Sequence, residues 1–222
     1  HGVFPSCVVK DAGNYYMFCI GWNKGYEAPL FYSSIGLAIS DDGLNFSPMS
    51  KGPLLQRSES DPCLVTSPYV YIDKGRWRMA YVSGLRWTRS HSGKLQSHYH
   101  IKTAEGKNLF SWERKGNVAI DFDTSETNIA RPTIINEVDG TYKMWFCYLN
   151  SSVGKYRMGY AESTNGINWL RDDTRSGLAN DQEWCKDMIC YPAHFRLNNK
   201  LYMLYNGDNF GKEGFAVSLY SH

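Results

Sequence analysis

Three acidic residues stand in the segments that lead into proline-marked, apolar runs of the sequence. They are Asp61, Glu126 and Asp187. Carboxyl groups brought together in different environments can divide acid–base work, because one keeps its proton for donation while another stays ionised as a base or nucleophile. The alternative for each is an ordinary solvated loop acid. The elements that carry these residues decide whether they can meet.

A second set of side chains suits the binding of a flat, polar ligand. Aromatic rings offer apolar faces, and amide and guanidinium groups form planar hydrogen-bonded contacts. Two tryptophans and an asparagine follow strand methionines at similar distances, in segments that we interpret as loops. The alternative for the tryptophans is packing at the edges of sheets. The predicted substrate-binding set is Arg131, Trp22, Trp87, His100, Tyr191 and Asn206.

Arg131 directly precedes Pro132, at the start of an apolar run. A charged side chain there is costly unless it is paired or contacts a polar ligand. A guanidinium group can hold a carboxylate or phosphate through two parallel hydrogen bonds. Lys186 and His194 lie beside the next such run, so a small cationic cluster is expected. The alternative is a salt bridge from Arg131 to Glu126 or Asp187.

The elements that position these residues belong to a repeat that occurs four times. Each copy begins with a proline and a short apolar run, followed by a turn and an aromatic run with a central methionine. The prolines are separated by 63, 64 and 60 positions, and each methionine follows its proline by 12, 11, 12 and 11 positions. The prolines are Pro5, Pro68, Pro132 and Pro192.

A second element follows in each copy, with the pattern Gly-x-Ala-x-Ser and then Asp-Gly or Asn-Gly. It is clear at 36–46 and 159–169, weaker at 101–112, and opens again at 214–218. Glycine after Asp or Asn is typical of a tight turn. Each copy therefore predicts four strands, which we call A, B, C and D, and four-stranded units repeating at this length indicate a β-propeller.

We therefore predict an all-β chain that forms a single β-propeller domain over 1–222. The four blades are expected at approximately 1–60, 61–125, 126–185 and 186–222. The aromatic residues at the end of the second element recur at one spacing, and we interpret them as blade core. These residues are Phe46, Trp112 and Trp169.

The Tyr-x-Met-x-Tyr and Gly-x-Ala-x-Ser elements resemble those of the five-bladed propeller superfamily of glycosidases. That superfamily holds the arabinanases and xylosidases of glycoside hydrolase family 43, the invertases, the levansucrases and the mannoside phosphorylases of family 130. The resemblance covers nearly the whole chain and implies a substrate over the central axis, with carboxylates near the start of each innermost strand. Five blades at this spacing need roughly 310 residues. We therefore expect one further blade, either N-terminal to His1 or supplied by another chain.

The chain departs from family 43 where the catalytic acids are expected. That family places acids beside the strand prolines, whereas this chain has Phe4, Tyr69 and Ala130 with Arg131. Glycoside cleavage needs a proton donor and a second carboxylate that activates water or attacks the sugar. The resemblance thus implies a glycoside hydrolase with an axial cleft, in which the loop acids replace the family acids. We assign Glu126 as acid, Asp61 as base or nucleophile and Asp187 as the orienting residue.

Two alternatives to a hydrolase stay open. One is a propeller that binds glycan without cleaving it. The other is a glycoside phosphorylase, in which Arg131 holds phosphate. In each case the expected partner is an oligosaccharide or glycoside.

Composition and cysteine spacing limit the partners, metals and cofactors that the protein is expected to bind. With 24 basic and 22 acidic residues the net charge is +2, which does not favour a nucleic-acid or membrane partner. The six cysteines form no CxxC pair, and His91, His98 and His100 lack metal-ligand spacing, so neither a metal nor a cofactor is expected. A reducing, cytoplasmic location is favoured. The alternative to six reduced cysteines is a Cys185–Cys190 disulfide. The alternative to a cytoplasmic location is secretion directed by a leader sequence that has been removed.

Overall fold

A computed structural model of the chain describes residues 1–90, 92–212 and 214–220, and it consists mostly of β-strands. The predicted all-β class is confirmed at this level. The chain divides into two compact units, 1–119 and 120–222, and each is described by itself. The single domain over 1–222 and its blade boundaries stay predictions.

The first unit contains two antiparallel sheets in which consecutive strands are neighbours. The first sheet is formed by β1 (Gly2–Asp11), β2 (Asn14–Lys24), β3 (Phe31–Ser40) and β4 (Ser47–Pro48). The second is formed by β5 (Leu64–Asp73), β6 (Arg76–Arg89), β7 (Leu95–Asn108) and β8 (Ser111–Glu113). Strand β9 (Val118–Ile120) spans the boundary between the units.

The second unit repeats the same arrangement. One sheet is formed by β10 (Glu126–Asn136), β11 (Tyr142–Asn150), β12 (Lys155–Ser163) and β13 (Leu170–Arg171). The other is formed by β14 (Cys190–Leu197), β15 (Lys200–Asn206) and β16 (Phe215–Tyr220). Short 3-10 turns at Asp173–Arg175 and Glu183–Cys185 and the helical turn α1 (Asp208–Gly211) lie between strands. None of the helices described is long and apolar enough to cross a membrane.

The Ser-x-Asp/Asn-Gly motif forms the same turn in two copies of the repeat. The Ser40 hydroxyl accepts a hydrogen bond from the Gly43 N–H at 2.9 Å, and Asp42 accepts two further backbone N–H groups, each at 2.8 Å. Ser163 and Asn165 make the corresponding bonds in the third copy. The motif is therefore a turn that satisfies the backbone donors after strand C.

The glycine of Gly-x-Ala-x-Ser makes room for a side chain on the neighbouring strand. Gly36 pairs with Cys19, and Gly159 pairs with Phe146. A Cβ atom at position 36 would lie 2.9 Å from the Cys19 Sγ, and one at position 159 would lie 2.2 Å from the Phe146 ring. A larger residue at either position would force its neighbour out of place.

We expect Gly159→Ala to lower the free energy of unfolding by about 1–3 kcal/mol, the usual effect of overpacking a filled core. The matched control is Gly52→Ala, since a Cβ there would lie 4.0 Å from its nearest neighbour, the Ser50 hydroxyl. Urea denaturation of both variants measures the difference. Equal stability of the two variants would show that the Phe146 ring moves aside without penalty.

Each unit has its own apolar core. In the first, Trp112 is partly buried and packs against the core, with its ring 6.1 Å from that of Phe18 in an edge-to-face contact. In the second, Trp145 is fully buried and donates its indole N–H to the Ser176 carbonyl at 2.9 Å. The predicted alternative of a Cys185–Cys190 disulfide is wrong, because both are buried free thiols.

Candidate functional site

The start of strand A carries the same irregularity in every copy of the repeat. Strands β1, β5, β10 and β14 each break register at or beside the strand proline. In the last three, the residue before the proline has a positive φ, at 47° for Ser67, 55° for Arg131 and 59° for Tyr191. This conformation is rare for residues other than glycine and is often retained where function requires it. The bulges therefore identify Ser67, Arg131 and Tyr191 as candidates for a functional site.

Arg131 and Tyr191 meet in the second unit and form part of an aromatic cluster. The Arg131 guanidinium carbon lies 5.4 Å from the centre of the Tyr191 ring, within cation–π range. Tyr191 stacks on Phe210 at 5.9 Å with an interplanar angle of 28°. Tyr156 contacts both of these rings, at 6.2 and 6.1 Å. We call these four residues the ring cluster.

Cys147 ties the Arg131 bulge into the sheet. Its fully buried thiol donates to the Ala130 carbonyl at 3.4 Å. Burial, which outweighs the backbone N–H of Tyr191 and the charge of Arg131, raises the pKa of the Cys147 thiol to about 12. The group therefore stays a protonated donor at neutral pH.

The turn α1 presents Phe210 to solvent. Asn209 and Phe210 have φ values of 52° and 60°, which makes two consecutive non-glycine residues with left-handed backbone. Asn206, at the end of β15, donates from its side-chain amide to the Phe210 carbonyl at 3.1 Å. The Phe210 side chain is 55% exposed although it stacks on Tyr191. An exposed ring held by a strained turn is suited to contact a ligand.

Asp187 is exposed and lies in a segment that contacts the same turn. Its backbone N–H donates to the Asp208 carboxylate at 3.0 Å. The second unit thus brings the predicted residues Arg131, Tyr191 and Asn206 together, and places the Asp187 segment against the turn that they share. Sequence analysis did not single out Phe210, because an isolated aromatic between glycines carries no periodic signal.

Glu126 is held by an arginine other than the one expected. Arg171 donates to both carboxylate oxygens, at 2.8 and 2.6 Å, and also pairs with Asp173 at 2.6 Å. Burial would lower the pKa of Arg171, but the two carboxylates outweigh it and raise that pKa above its ordinary value. The Arg171 guanidinium also lies 4.6 Å from the centre of the Tyr148 ring.

A cavity of about 430 Å³ in the second unit opens beside this ion pair. Its wall is polar and carries several carboxylates. The lining residues are Asp121, Phe122, Asp123, Ser125, Glu126, Tyr148, Asn150, Arg171 and Asp173. Sequence analysis missed Arg171, although a signal was present, because Arg171 follows Trp169 by two positions just as Arg114 follows Trp112.

Asp61 is completely buried in the first unit, among cations and hydroxyl groups. Its carboxylate lies 2.8 Å from Arg114 and 3.7 Å from Lys102, and accepts a hydrogen bond from Ser58 at 2.9 Å and from Tyr81 at 3.1 Å. Burial alone would raise the pKa of the carboxyl, but neighbouring serine hydroxyls and the charges of Lys102 and Arg114 outweigh it and lower the pKa. Asp61 therefore stays ionised at neutral pH.

The interpretation of Trp22 and Trp87 as loop residues is wrong, because β2 and β6 continue through them. The β6–β7 hairpin keeps its pairing beyond the end of β5, so that Trp87 lies opposite Ser97. The Phe31 ring contacts both tryptophans, at 6.1 and 5.1 Å. Aromatic packing between the two sheets thus accounts for their positions. Within the described part of the molecule, the buried Trp87 indole N–H has no hydrogen-bond partner.

His100 is buried on β7, where it lies opposite Ser83. The structure places it inside the first unit, and its predicted role as a substrate-binding residue stays a prediction.

The predicted cationic cluster does not include His194. Its ring is buried against Trp145, with the centroids 4.5 Å apart. Burial, assisted by the charge of Arg196, lowers the pKa of His194 to about 4, so the ring is neutral at neutral pH. Lys186 is exposed to solvent.

The residues described contain no group of three or more His, Cys, Asp or Glu side chains placed to hold a metal ion. His91 lies outside the described residues.

Solved structures define the class of fold. A structure described as a glycoside hydrolase matches the whole of this protein and 69% of its own length, with a TM-score of 0.71 and 17% identity. An endo-arabinase from Bacteroides thetaiotaomicron gives a TM-score of 0.66 at 17% identity over 97% of this protein and 74% of its own length. The β-1,2-mannobiose phosphorylase from Listeria innocua gives 0.64 at 14% identity over 98% and 72%. The protein shares its fold with these propeller enzymes, so the predicted resemblance is confirmed at the level of the fold.

Sequence comparison places the protein within a family. No family model matches it. The uncharacterised proteins MT1551 and Rv1502 of Mycobacterium tuberculosis are each 31% identical to it over 226 residues, which cover 98% of this sequence and 73% of theirs. It belongs to the same family as these two proteins. It is also 27% identical to a 1,2-β-oligomannan phosphorylase from Thermoanaerobacter over 144 residues, or 64% of this sequence and 45% of that protein.

Proposed function

We propose that this protein is a carbohydrate-active propeller enzyme that cleaves a glycosidic bond and binds its saccharide at the ring cluster. The observation that carries this proposal is the stacking of Arg131, Tyr191 and Phe210 at two strained bulges and a strained turn. An exposed aromatic face packs against the C–H groups of a sugar ring, while a guanidinium group binds hydroxyl, carboxylate or phosphate oxygens. The glycoside-cleaving enzymes among the structural neighbours support the same class.

Asp61, Glu126 and Asp187 stay the proposed catalytic set, and their surroundings differ. Asp187 is exposed, whereas Asp61 is completely buried and Arg171 occupies both oxygens of Glu126. For Glu126 to donate a proton to a leaving group, substrate binding must displace Arg171. We infer that Asp187 is the acid most accessible to substrate, and that the other two act only if binding rearranges their partners.

We expect Asp187→Asn to lower kcat by 100-fold or more, because acid–base groups contribute factors of about 10²–10⁴. Asp61→Asn and Glu126→Gln are compared in the same assay, together with thermal unfolding of each variant. The matched control is Asp181→Asn, an exposed acid in the same connecting segment. Wild-type turnover in all three acid variants would overturn the catalytic assignment.

Phosphorolysis is the second candidate, since Arg131 offers a cationic group and one relative is an oligomannan phosphorylase. Incubation with β-1,2-mannobiose, sucrose and arabino-oligosaccharides, with and without inorganic phosphate, separates the possibilities. A hydrolase releases free sugar without phosphate, whereas a phosphorylase yields a sugar 1-phosphate only when phosphate is present. Saccharide binding without turnover under either condition would indicate a non-catalytic glycan-binding propeller.

The further blade also stays a proposal, and an apolar sheet face supports it. Along β16, Phe215, Val217 and Leu219 are 67%, 53% and 52% exposed. Alternate residues of a strand share one face, so these side chains form a continuous apolar row. A sheet that packs on this row would remove it from water, and the thermal stability of an N-terminally extended chain tests the proposal.

A further inference from the structure

We propose that Asp208 is a positioning residue that ties the Asp187 segment to the turn presenting Phe210, so that a ligand on the ring cluster also fixes the Asp187 carboxylate. This inference rests on the proposed function insofar as it gives Asp187 a role in turnover. The connection between the Asp187 segment and the turn is supported independently by hydrogen bonds and packing within the second unit.

The backbone around Asp187 is held from both sides. One oxygen of Asp208 accepts the N–H groups of Asp187 and Met188, at 3.0 and 2.7 Å. The Arg157 guanidinium donates to the Asp187 carbonyl, and the Ile189 N–H donates to the Tyr156 carbonyl at 3.3 Å. Several successive backbone groups are thus satisfied, and the Asp187 side chain is left exposed on a fixed backbone.

The same aspartate begins the turn that carries Phe210. Gly207, immediately before it, has no room for a side chain, because a Cβ there would lie 2.3 Å from the Trp184 ring. The turn is therefore packed against the Asp187 segment at Trp184 and hydrogen-bonded to it at Asp208. Movement of the turn must move the segment as well.

The turn that Asp208 begins also carries Phe210, a member of the ring cluster. Phe210 is two residues beyond Asp208 and stacks on Tyr191. A sugar ring placed on the exposed Phe210 face restrains the turn, and through Asp208 it restrains residues 187 and 188. An alanine at 208 removes the acceptor, whereas asparagine keeps an oxygen in the same place for both N–H groups.

Amide hydrogen exchange tests the tie without any ligand. We expect Asp208→Ala to increase exchange at the amides of Asp187 and Met188 at least tenfold, while Asp208→Asn keeps it near the wild-type rate. Asp181→Ala, an exposed acid in the same connecting segment, is the control and should leave both amides unchanged. Unchanged exchange in Asp208→Ala, or equal acceleration in the alanine and asparagine variants, would overturn the proposal.

Kinetics on whichever of β-1,2-mannobiose, sucrose or arabino-oligosaccharide is turned over tests the consequence. Asp208→Ala is expected to lower kcat tenfold or more with KM changed less than threefold, and Asp208→Asn is expected to restore most of kcat. If kcat falls in both variants in step with their melting temperatures, Asp208 has only a structural role, and the positioning role is overturned. If the wild-type protein turns over none of these sugars, the proposed function fails, and the exchange experiment still decides whether Asp208 holds the segment.

Discussion

Replacement of Arg131 by alanine is expected to weaken saccharide binding about 100-fold, which corresponds to about 2.8 kcal/mol at 1.4 kcal/mol per tenfold. The guanidinium group lies over the Tyr191 ring, on which the exposed Phe210 ring also stacks, and it can form two parallel hydrogen bonds with a ligand oxygen pair. Arg131→Lys keeps the charge and loses the planar fork, so we expect an intermediate loss of about tenfold. Isothermal titration calorimetry measures both variants.

The control for Arg131 is Arg196→Ala in the same unit. The Arg196 side chain is 51% exposed and lies 3.8 Å from Glu137, an ion pair that contributes little to stability. Its removal is expected to leave saccharide affinity within twofold of wild type. Equal affinity losses in the Arg131 and Arg196 variants would show that the charge acts at long range rather than by contact with the ligand.

Replacement of Asp61 by alanine is expected to lower the free energy of unfolding by about 3–5 kcal/mol, the usual result of removing one partner from a buried ion pair. The side chains of Lys102 and Arg114 are 6% and 17% exposed, so both cations would lose a carboxylate that water cannot fully replace. Chemical denaturation at neutral pH measures the loss. Glu113→Ala is the control, because that carboxylate is 66% exposed and pairs with an exposed lysine at 3.5 Å.

The Asp61 contribution is also expected to depend on pH. Neighbouring hydroxyls and cations outweigh burial and hold the pKa of the folded state below the ordinary value of 3.8. The stabilisation is therefore fully present above that value and is lost as the pH falls through the lower pKa of the folded state. Asp61→Ala should unfold with a weaker dependence on acid than wild type. Equal stability of the Asp61 and Glu113 variants, or identical acid dependence of Asp61→Ala and wild type, would contradict this account.

The sheets could be predicted because their signals are local. Proline at the start of strand A, Gly-x-Ala-x-Ser in strand C and the Asp-Gly or Asn-Gly turn each act on the backbone near them, and the structure shows the turn bonds at Ser40 and Ser163. Strand lengths were harder to predict. The β6–β7 hairpin extends through Trp87 because the two strands pair with each other there, and the residue pattern of one strand does not show such pairing.

The candidate site could be predicted only in part. Arg131 and Tyr191 were identifiable because they precede strand prolines, although their left-handed backbone was not expected. The partners of the acids arise from contacts over long sequence separations, such as Arg171 with Glu126 and Arg114 with Asp61. His194 was expected to be cationic, yet burial against Trp145 makes it neutral. Such pairings depend on packing between strands rather than on spacing along the sequence.

Calorimetric titration of wild type and Phe210→Ala with β-1,2-mannobiose, sucrose and arabino-oligosaccharides tests the ring cluster most directly. Because Phe210 is 55% exposed, its truncation removes less buried surface than the loss of a core residue would, and the variant should stay folded. We predict that at least one of these sugars binds wild type and binds Phe210→Ala at least tenfold more weakly. Equal affinity for both proteins, or binding of none of the sugars by wild type, would contradict the proposal that this surface receives a saccharide.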